Sequence, residues 1–445
     1  MGAEALTFSR PVSSVVQESA IGGPEAQETV MTNLHSARPS ASTHRVVVVG
    51  AGYAGVLAAN RILASRDQAR GADPARNCSV VVINPRADFV ERIRLHEVAA
   101  GTRAAATVPL RDLLHRDAEI VVGSVVSIDK DRRRVEVAVG NCTDSVGYDS
   151  LVYAIGSNTD RSVPGAAEFA HHAGDVGAAE DLRASVTALA PGSVVRVVGG
   201  GSTAIEIASE IGAARSDLDV EMVSAGGVAG FMRDAARKSV LATLRRLRVT
   251  WREDTRVVEV RDRELHTADG TVLGFDVCVW AASFAVPDLA ARSGLSTDVD
   301  GRLRVDSTLT STDDAAVVGA GDAVAVASEV GAHLRMACAT AMPLGGHAAA
   351  TVLARMRGER APALSLGFMV QCMSLGRKAG YLQFVHADDV PRPFGVSGRL
   401  GAAVKESICR MTVDKMRAEQ NRPGAYRTPK GPRPDPVNRI AEDAR

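Results

Sequence analysis

The chain lacks the signatures of several large functional classes, and each absence narrows what it can be. Its 52 Lys and Arg balance 52 Asp and Glu, so the formal net charge is zero, which argues against a general nucleic-acid binder held by phosphate contacts. No run of about 18 apolar residues occurs, so no membrane span is expected. The N-terminus has no basic region leading into an apolar stretch, as a secretory signal would. The cysteines at positions 78, 142, 278, 338, 372 and 409 form no CxxC or CxxxxC pair, which predicts free thiols in a reducing compartment, the cytoplasm by default. Gly-x-Ser-x-Gly, HExxH and P-loop patterns are also missing, so serine-hydrolase, zinc-protease and P-loop chemistry have no foothold.

What is present is one motif, twice. Val46-Val47-Val48-Val49 runs into Gly50-Ala51-Gly52-Tyr53-Ala54-Gly55, and Val194-Val195-Arg196-Val197-Val198 runs into Gly199-Gly200-Gly201-Ser202-Thr203-Ala204. In such a turn the first Gly permits the tight bend, the second lets backbone approach a pyrophosphate, and the third Gly or Ala lets helix and strand pack closely. Pyrophosphate oxygens then meet the free N–H groups at the helix N-terminus, where the dipole favours negative charge. One such turn is weak evidence, but two in strand–turn–helix context point to two dinucleotide sites. The 445 residues, 46% of them hydrophobic, suit a two- or three-domain α/β enzyme. Residues 1–44 mix Ser, Ala, Glu, Thr and Pro without period and read as a disordered leader, with Met31 as an alternative start.

A third signature lies far along the chain. Ala315-Ala316-Val317-Val318-Gly319-Ala320-Gly321-Asp322 reads as a buried strand ending in a Gly-Asp turn. Together with Ala154-Ile155-Gly156 and with Glu206 and Glu210 after the second glycine turn, this set resembles the two-dinucleotide-binding flavoproteins of the pyridine nucleotide-disulfide oxidoreductase superfamily. The resemblance implies two Rossmann-like domains, one for FAD and one for NADH or NADPH, plus a small α+β C-terminal domain. It places the FAD domain at 45–160 and 284–360, the NAD(P) domain at 161–283, and the C-terminal domain and tail at 361–445. FAD is then expected against Gly50, Gly52, Tyr53, Ala54, Gly55, Asn84, Arg86, Arg92, Val126, Ala154, Ile155, Gly156, Gly321, Asp322, Met336 and Ala337. NAD(P)H is expected against Gly199, Gly201, Ser202, Thr203, Ser224 and Ala282.

The region after the second strand, Arg86 to Glu97, holds no cysteine, so no dithiol relay is expected. The chain is similar instead to the type II NADH dehydrogenase branch, through Val98-Ala99-Ala100-Gly101 and Pro109-Leu110-Arg111-Asp112-Leu113-Leu114. That resemblance implies electron transfer from NAD(P)H through FAD to a small-molecule acceptor, a quinone first of all. The alternatives are a specialised small metabolite as substrate, and a non-catalytic nucleotide-sensing flavoprotein. Cys338-Ala339-Thr340-Ala341-Met342-Pro343-Leu344-Gly345 stands where that branch carries an AQxAxQQG helix, with both glutamines lost, and Pro343 suits a kink or a helix start.

Glu206, His96 and Arg94 are the candidate catalytic residues. Arg92, Arg94 and His96 read either as the solvated face of an amphipathic helix or as a polar acceptor pocket in which His96 or Arg94 stabilises an anionic flavin or product. Asn84, in place of the usual acid, is expected to hydrogen-bond ribose. Ser224-Ala225-Gly226-Gly227 leaves room for a 2′-phosphate, with Arg233 and Arg237 as its partners. Leu400, Val404, Ile408 and Met411 form a helical stripe beside Lys405, Arg410, Lys415 and Arg417. The segment is expected to dock on the protein or a second copy, or else to touch anionic lipid at the inner membrane face.

Overall fold

The structure is a computed structural model that describes residues 43–432. Apart from Thr43 and His44, the leader expected over 1–44 lies outside the described residues. The apolar runs become two parallel sheets. In the first, the spatial order is Val317–Gly319, Ser150–Tyr153, His44–Val49, Cys78–Asn84 and Glu119–Val122; in the second, it is Thr250–Arg252, Asp219–Val223, Val194–Val198 and Val277–Trp280. All neighbouring pairs in both sheets run parallel. Parallel strands need crossovers that cover both faces, so their residues read as continuous β-branched runs. Val46, Val47 and Val48 are accordingly fully buried. The strand Val317–Gly319 returns to the first sheet some 160 residues after Ser150–Tyr153 has left it, which makes that domain discontinuous in sequence.

Two antiparallel three-stranded sheets branch off, one from each parallel sheet: Ser124–Asp129 with Arg134–Val139 and Cys142–Gly147, and Val257–Arg261 with Glu264–Thr267 and Val272–Gly274. Glu119–Val122, just before the first of these, pairs with Cys78–Asn84 in the parallel sheet. A third antiparallel sheet, Val370–Ser374, Gly380–Val385 and Pro391–Ser397, is followed by the terminal helix Gly398–Glu419.

Helix Cys338–Met356 runs through Pro343, so the helix does not start at the proline. The proline sits near the N-terminal end, where its missing N–H orphans one carbonyl in the helix's first turn. The helix lies so close to Tyr53–Gln68 that a Cβ on Gly345 would come within 2.1 Å of the Ala54 carbonyl oxygen.

Helix Gly398–Glu419 docks through a different face from the one its apolar stripe suggests. Gly401, Lys405, Cys409, Thr412, Val413, Met416 and Glu419 are buried, whereas Leu400 is 64% and Met411 40% exposed. Lys405 therefore does not face lipid. Its charge is drawn inward by Glu206, at 3.1 Å. At the other end, buried Glu419 accepts two hydrogen bonds from Arg61.

Candidate active site

The first glycine turn is shaped by backbone on both sides. Gly50 has φ of +97°, and a Cβ there would lie 2.4 Å from the Ala154 carbonyl oxygen; Gly55 would meet the Gly50 carbonyl oxygen at 1.9 Å. Gly52, between them, faces open space and begins the helix Tyr53–Gln68 without a side-chain cap. The first-turn N–H groups thus lack a capping partner on the side where the helix dipole is positive, which fits a pyrophosphate. Tyr53 packs edge-on against Phe89, with ring centroids 5.0 Å apart.

Asn84 departs from its expected role. Its Oδ1 accepts from the Ala51 N–H at 2.9 Å and its amide donates to the Arg86 carbonyl at 2.7 Å, so it braces the turn from below. Arg86 itself is half-exposed, 3.9 Å from Asp175. Val126 is exposed, with its carbonyl accepting from Arg292.

A relay of polar contacts ends at Asp322. Arg92 donates to the Ser157 carbonyl at 2.6 Å, and the Ser157 hydroxyl donates to Asp322 Oδ2 at 2.9 Å. Ser157 directly follows Ala154-Ile155-Gly156, and sequence reasoning missed it because a lone serine carries no pattern. Asp322 Oδ1 is buried and has no partner among the described residues, and burial raises this carboxyl above its usual range. A buried acceptor left open beside the glycine turn suits the ribityl hydroxyls of FAD. A cavity of about 210 Å³ lies there, lined by Gly321, Asp322, Met336, Thr340 and Leu344. Ala337 caps the helix that starts at Cys338.

The second turn repeats the first with differences. Gly199 has φ of +137° and is closed in by the Ala281 carbonyl oxygen, 2.5 Å from a Cβ placed there. Gly201 faces open space and begins helix Ser202–Ala214, again without a side-chain cap. Ser202 and Ala282 are exposed beside it and Thr203 partly so. Ser224 is 6% exposed, and its hydroxyl would lie 2.4 Å from a Cβ on Gly200, so it packs under the turn. Arg237 does not wait for a phosphate. It is held by Glu253, at 2.5 Å, and by the Val228 carbonyl, at 2.9 Å. Arg233 is exposed, and its guanidinium reaches the Pro391 carbonyl at 3.5 Å.

Glu206, His96 and Arg94 come together at a junction of both nucleotide domains and the C-terminal segment. Glu206 accepts from the Ser374 N–H at 2.9 Å and from Lys405 at 3.1 Å. Burial opposes both charges, yet each group sustains the other: the carboxyl titrates below its usual range and the ammonium well above its own. His96 is 5% exposed, its Nε2 has no hydrogen-bond partner among the described residues, and burial lowers its pKa, so it is neutral at pH 7.

Arg94 is not solvated. It is 3% exposed and ion-paired to Glu91 at 3.3 Å, Glu97 at 3.2 Å and Glu406 at 2.8 Å, which engages all three guanidinium nitrogens. Cys338, Cys372 and Cys409 lie near Lys405. Burial pushes the Cys338 thiol up to about 11 and the Cys409 thiol up to about 12, so both are protonated at neutral pH. Lys405 is the principal site residue that the sequence placed elsewhere, among cations able to meet lipid. Its only signal was a lysine on the same helical face as Cys409 and Met416.

Two glycine turns that fit pyrophosphates, joined through a buried acid and a shared junction, define an oxidoreductase built around FAD and a pyridine nucleotide. The chain matches the model of the Pyridine nucleotide-disulphide oxidoreductase family over residues 44–343 and belongs to that family. Its cofactors are FAD and NAD(P)H. Among similar proteins is the type II NADH:quinone oxidoreductase of Haemophilus influenzae, 25% identical over 337 residues, covering 63% of this chain and 73% of that one. Another is the NADH dehydrogenase-like protein YutJ of Bacillus subtilis, 22% identical over 185 residues; the match covers 41% of this chain and spans 49%, about half, of that relative. The fold is shared with the sulfide:quinone oxidoreductase of Aquifex aeolicus, at a TM-score of 0.70 and 17% identity, over 85% of this chain and 92% of that one.

Proposed function

We propose that the protein oxidises NAD(P)H and passes the electrons through FAD to a quinone. The observation that carries this reading is the pair of largely enclosed Glu206 and buried Lys405, 3.1 Å apart, beside neutral His96 and the start of helix Cys338–Met356. A quinone takes up two protons with its two electrons, and this trio offers a buried cation to hold an acceptor oxygen and groups through which protons can be supplied. Bound FAD supplies the two-electron relay between donor and acceptor. The protein's part is to orient both partners and keep water out. The quinone oxidoreductase of Haemophilus influenzae supports the acceptor class. The missing glutamines on helix Cys338–Met356 favour, as a second reading, a smaller polar metabolite in the same place.

Among the described residues, no helix is long and apolar enough to cross a membrane. The C-terminal segment instead combines exposed Met369, Val390, Phe394 and Leu400 with 14 Lys and Arg against 8 Asp and Glu over 361–445. That mixture suits peripheral contact with an anionic membrane, where a lipid-soluble quinone would be met.

The test is reduction of the purified yellow protein by NADH or NADPH under argon, then reoxidation by menadione, a ubiquinone analogue or oxygen. Fast reoxidation by both quinones is expected, and Lys405→Gln should slow it about 10- to 100-fold. Slow reoxidation by every quinone would overturn the reading.

A further inference from the structure

Two buried carboxylates in the junction play no part in this scheme. Glu97, 3% exposed, lies on the short helix Leu95–Ala99 of the FAD-binding domain; Glu210, fully buried, lies on helix Ser202–Ala214 of the NAD(P)-binding domain. One guanidinium joins them. Arg377, in the turn between Val370–Ser374 and Gly380–Val385, places Nη1 2.8 Å from Glu97 Oε1 and Nε 2.6 Å from Glu210 Oε1. Glu97 also holds Arg94 and Arg103. Glu210 has Arg377 as its cation and the Thr102 hydroxyl at 2.5 Å, and its Oε2 has no partner among the described residues.

The turn that carries Arg377 lies directly on the NAD(P)-domain helix. Gly376, at φ of +71°, would bring a Cβ within 2.9 Å of the Ala213 Cβ. Met373, Leu375 and Tyr381 share one core with Leu95 and Val98 of the first domain and Ile207 and Ile211 of the second. Helix Ser202–Ala214 is a rigid rod whose N-terminus is the pyrophosphate turn and whose body is pinned at Glu206 and, one turn later, at Glu210. The segment it is pinned to follows Arg92, which reaches Asp322 through Ser157. A shift of one against the other is therefore a shift of nicotinamide against flavin, and a misplacement of about 1 Å can cost about 100-fold in rate.

We propose that Arg377 is a positioning residue that clasps the NAD(P)-binding helix to the FAD-binding domain through Glu210 and Glu97, and so sets the distance at which nicotinamide meets flavin. The clasp rests on the assignment of the two nucleotide sites and is independent of the acceptor.

The experiment compares the FAD-loaded wild type with Arg377→Lys, Arg377→Met and the double variant Arg377→Met/Glu210→Gln, in which no buried charge is stranded. Hydrogen exchange without nucleotide reads the clasp itself. In both Met variants, amides of 95–103 and 202–214 should exchange at least about 10-fold faster, while those of His44–Val49 keep their protection. Stopped-flow reduction then reads its consequence. The limiting rate at saturating NAD(P)H should fall about 10- to 100-fold with the dissociation constant of the nucleotide within about threefold of wild type, and Lys, which can hold one carboxylate, should recover part of the loss. Wild-type exchange in those two segments, or a wild-type limiting rate in the double variant, overturns the clasp. Should Arg377→Met fail to fold, the other two variants decide. A colourless wild type that takes up no FAD would instead sink the nucleotide sites, and the clasp with them.

Discussion

The two glycine turns are built from the same motif and are held differently. At Gly50 the turn is braced from below by Asn84 on the Ala51 N–H, and its helix is pressed by Gly345 against Ala54. Beyond it lies Asp322, whose buried Oδ1 is open. At Gly199 the same bend opens onto exposed Gly201 and Ser202; the strand after it ends in Ser224, tucked underneath, and two glycines, with the nearby Arg237 committed to Glu253. A dinucleotide in the first site would be enclosed by fixed partners and one in the second would meet mainly backbone and solvent. On the proposed assignment of FAD to the first turn and NAD(P)H to the second, one motif serves a resident cofactor and an exchanging one, and the surroundings, not the glycines, make the difference.

Crossed substitutions give the largest effect. Gly50→Val forces a side chain onto the Ala154 carbonyl at a left-handed φ, so FAD should be lost entirely, read as the absorbance of the purified protein. A Cβ on Gly201 meets no protein atom within 4 Å, so Gly201→Val is directed into the pyrophosphate path. It should keep FAD while flavin reduction by NAD(P)H falls at least about 100-fold. Loss of FAD from both variants alike would break the comparison.

A smaller change sharpens it. Asp322→Ala removes the acceptor that only the first site has, worth about 1–3 kcal/mol. FAD affinity should drop about 5- to 150-fold by that measure, with NAD(P)H affinity unchanged in protein reloaded with FAD. Equal weakening of both cofactors would mean Asp322 acts on the fold.

The smallest expected effect concerns the junction between the turns. Glu406 is held down at about 2, chiefly by its hydrogen bonds from Arg94, against an ordinary 4.5. A depressed folded-state value means that its contribution is fully present above about pH 4.5 and is lost as pH falls toward 2. Glu406→Gln should lower the melting temperature at pH 7 by a few degrees and flatten the acid limb in that window, leaving FAD content intact. An acid limb as steep as in wild type would show that the pair adds nothing measurable.

Much of the fold was legible because periodicity and glycine spacing are local. Val46 to Val49 and Val194 to Val198 had to be buried parallel strands, and Gly50 and Gly199 had to bend where they do. The site was legible only where a motif marks it, as at Asp322. Arg94 and His96, which admitted a solvated reading, are buried, and Arg94 is tied to Glu406 over 300 residues away, a pairing that no spacing announces. The terminal helix misled for the same reason: its apolar stripe, Leu400 to Met411, was visible, but its buried face is set by what Lys405 and Glu419 meet.

The sequence by itself determined two glycine turns after apolar strands and the lack of a CxxxxC pair, because each depends on steric demands or residue types within a short stretch; the return of the strand at Val317 was implied by the family resemblance. Tertiary structure alone decided which charges pair and with whom: Lys405 on Glu206, Arg377 across Glu97 and Glu210, Arg237 on Glu253. A buried charge persists only where a partner from elsewhere in the chain arrives within about 3 Å, and that arrival is a property of the folded domains together.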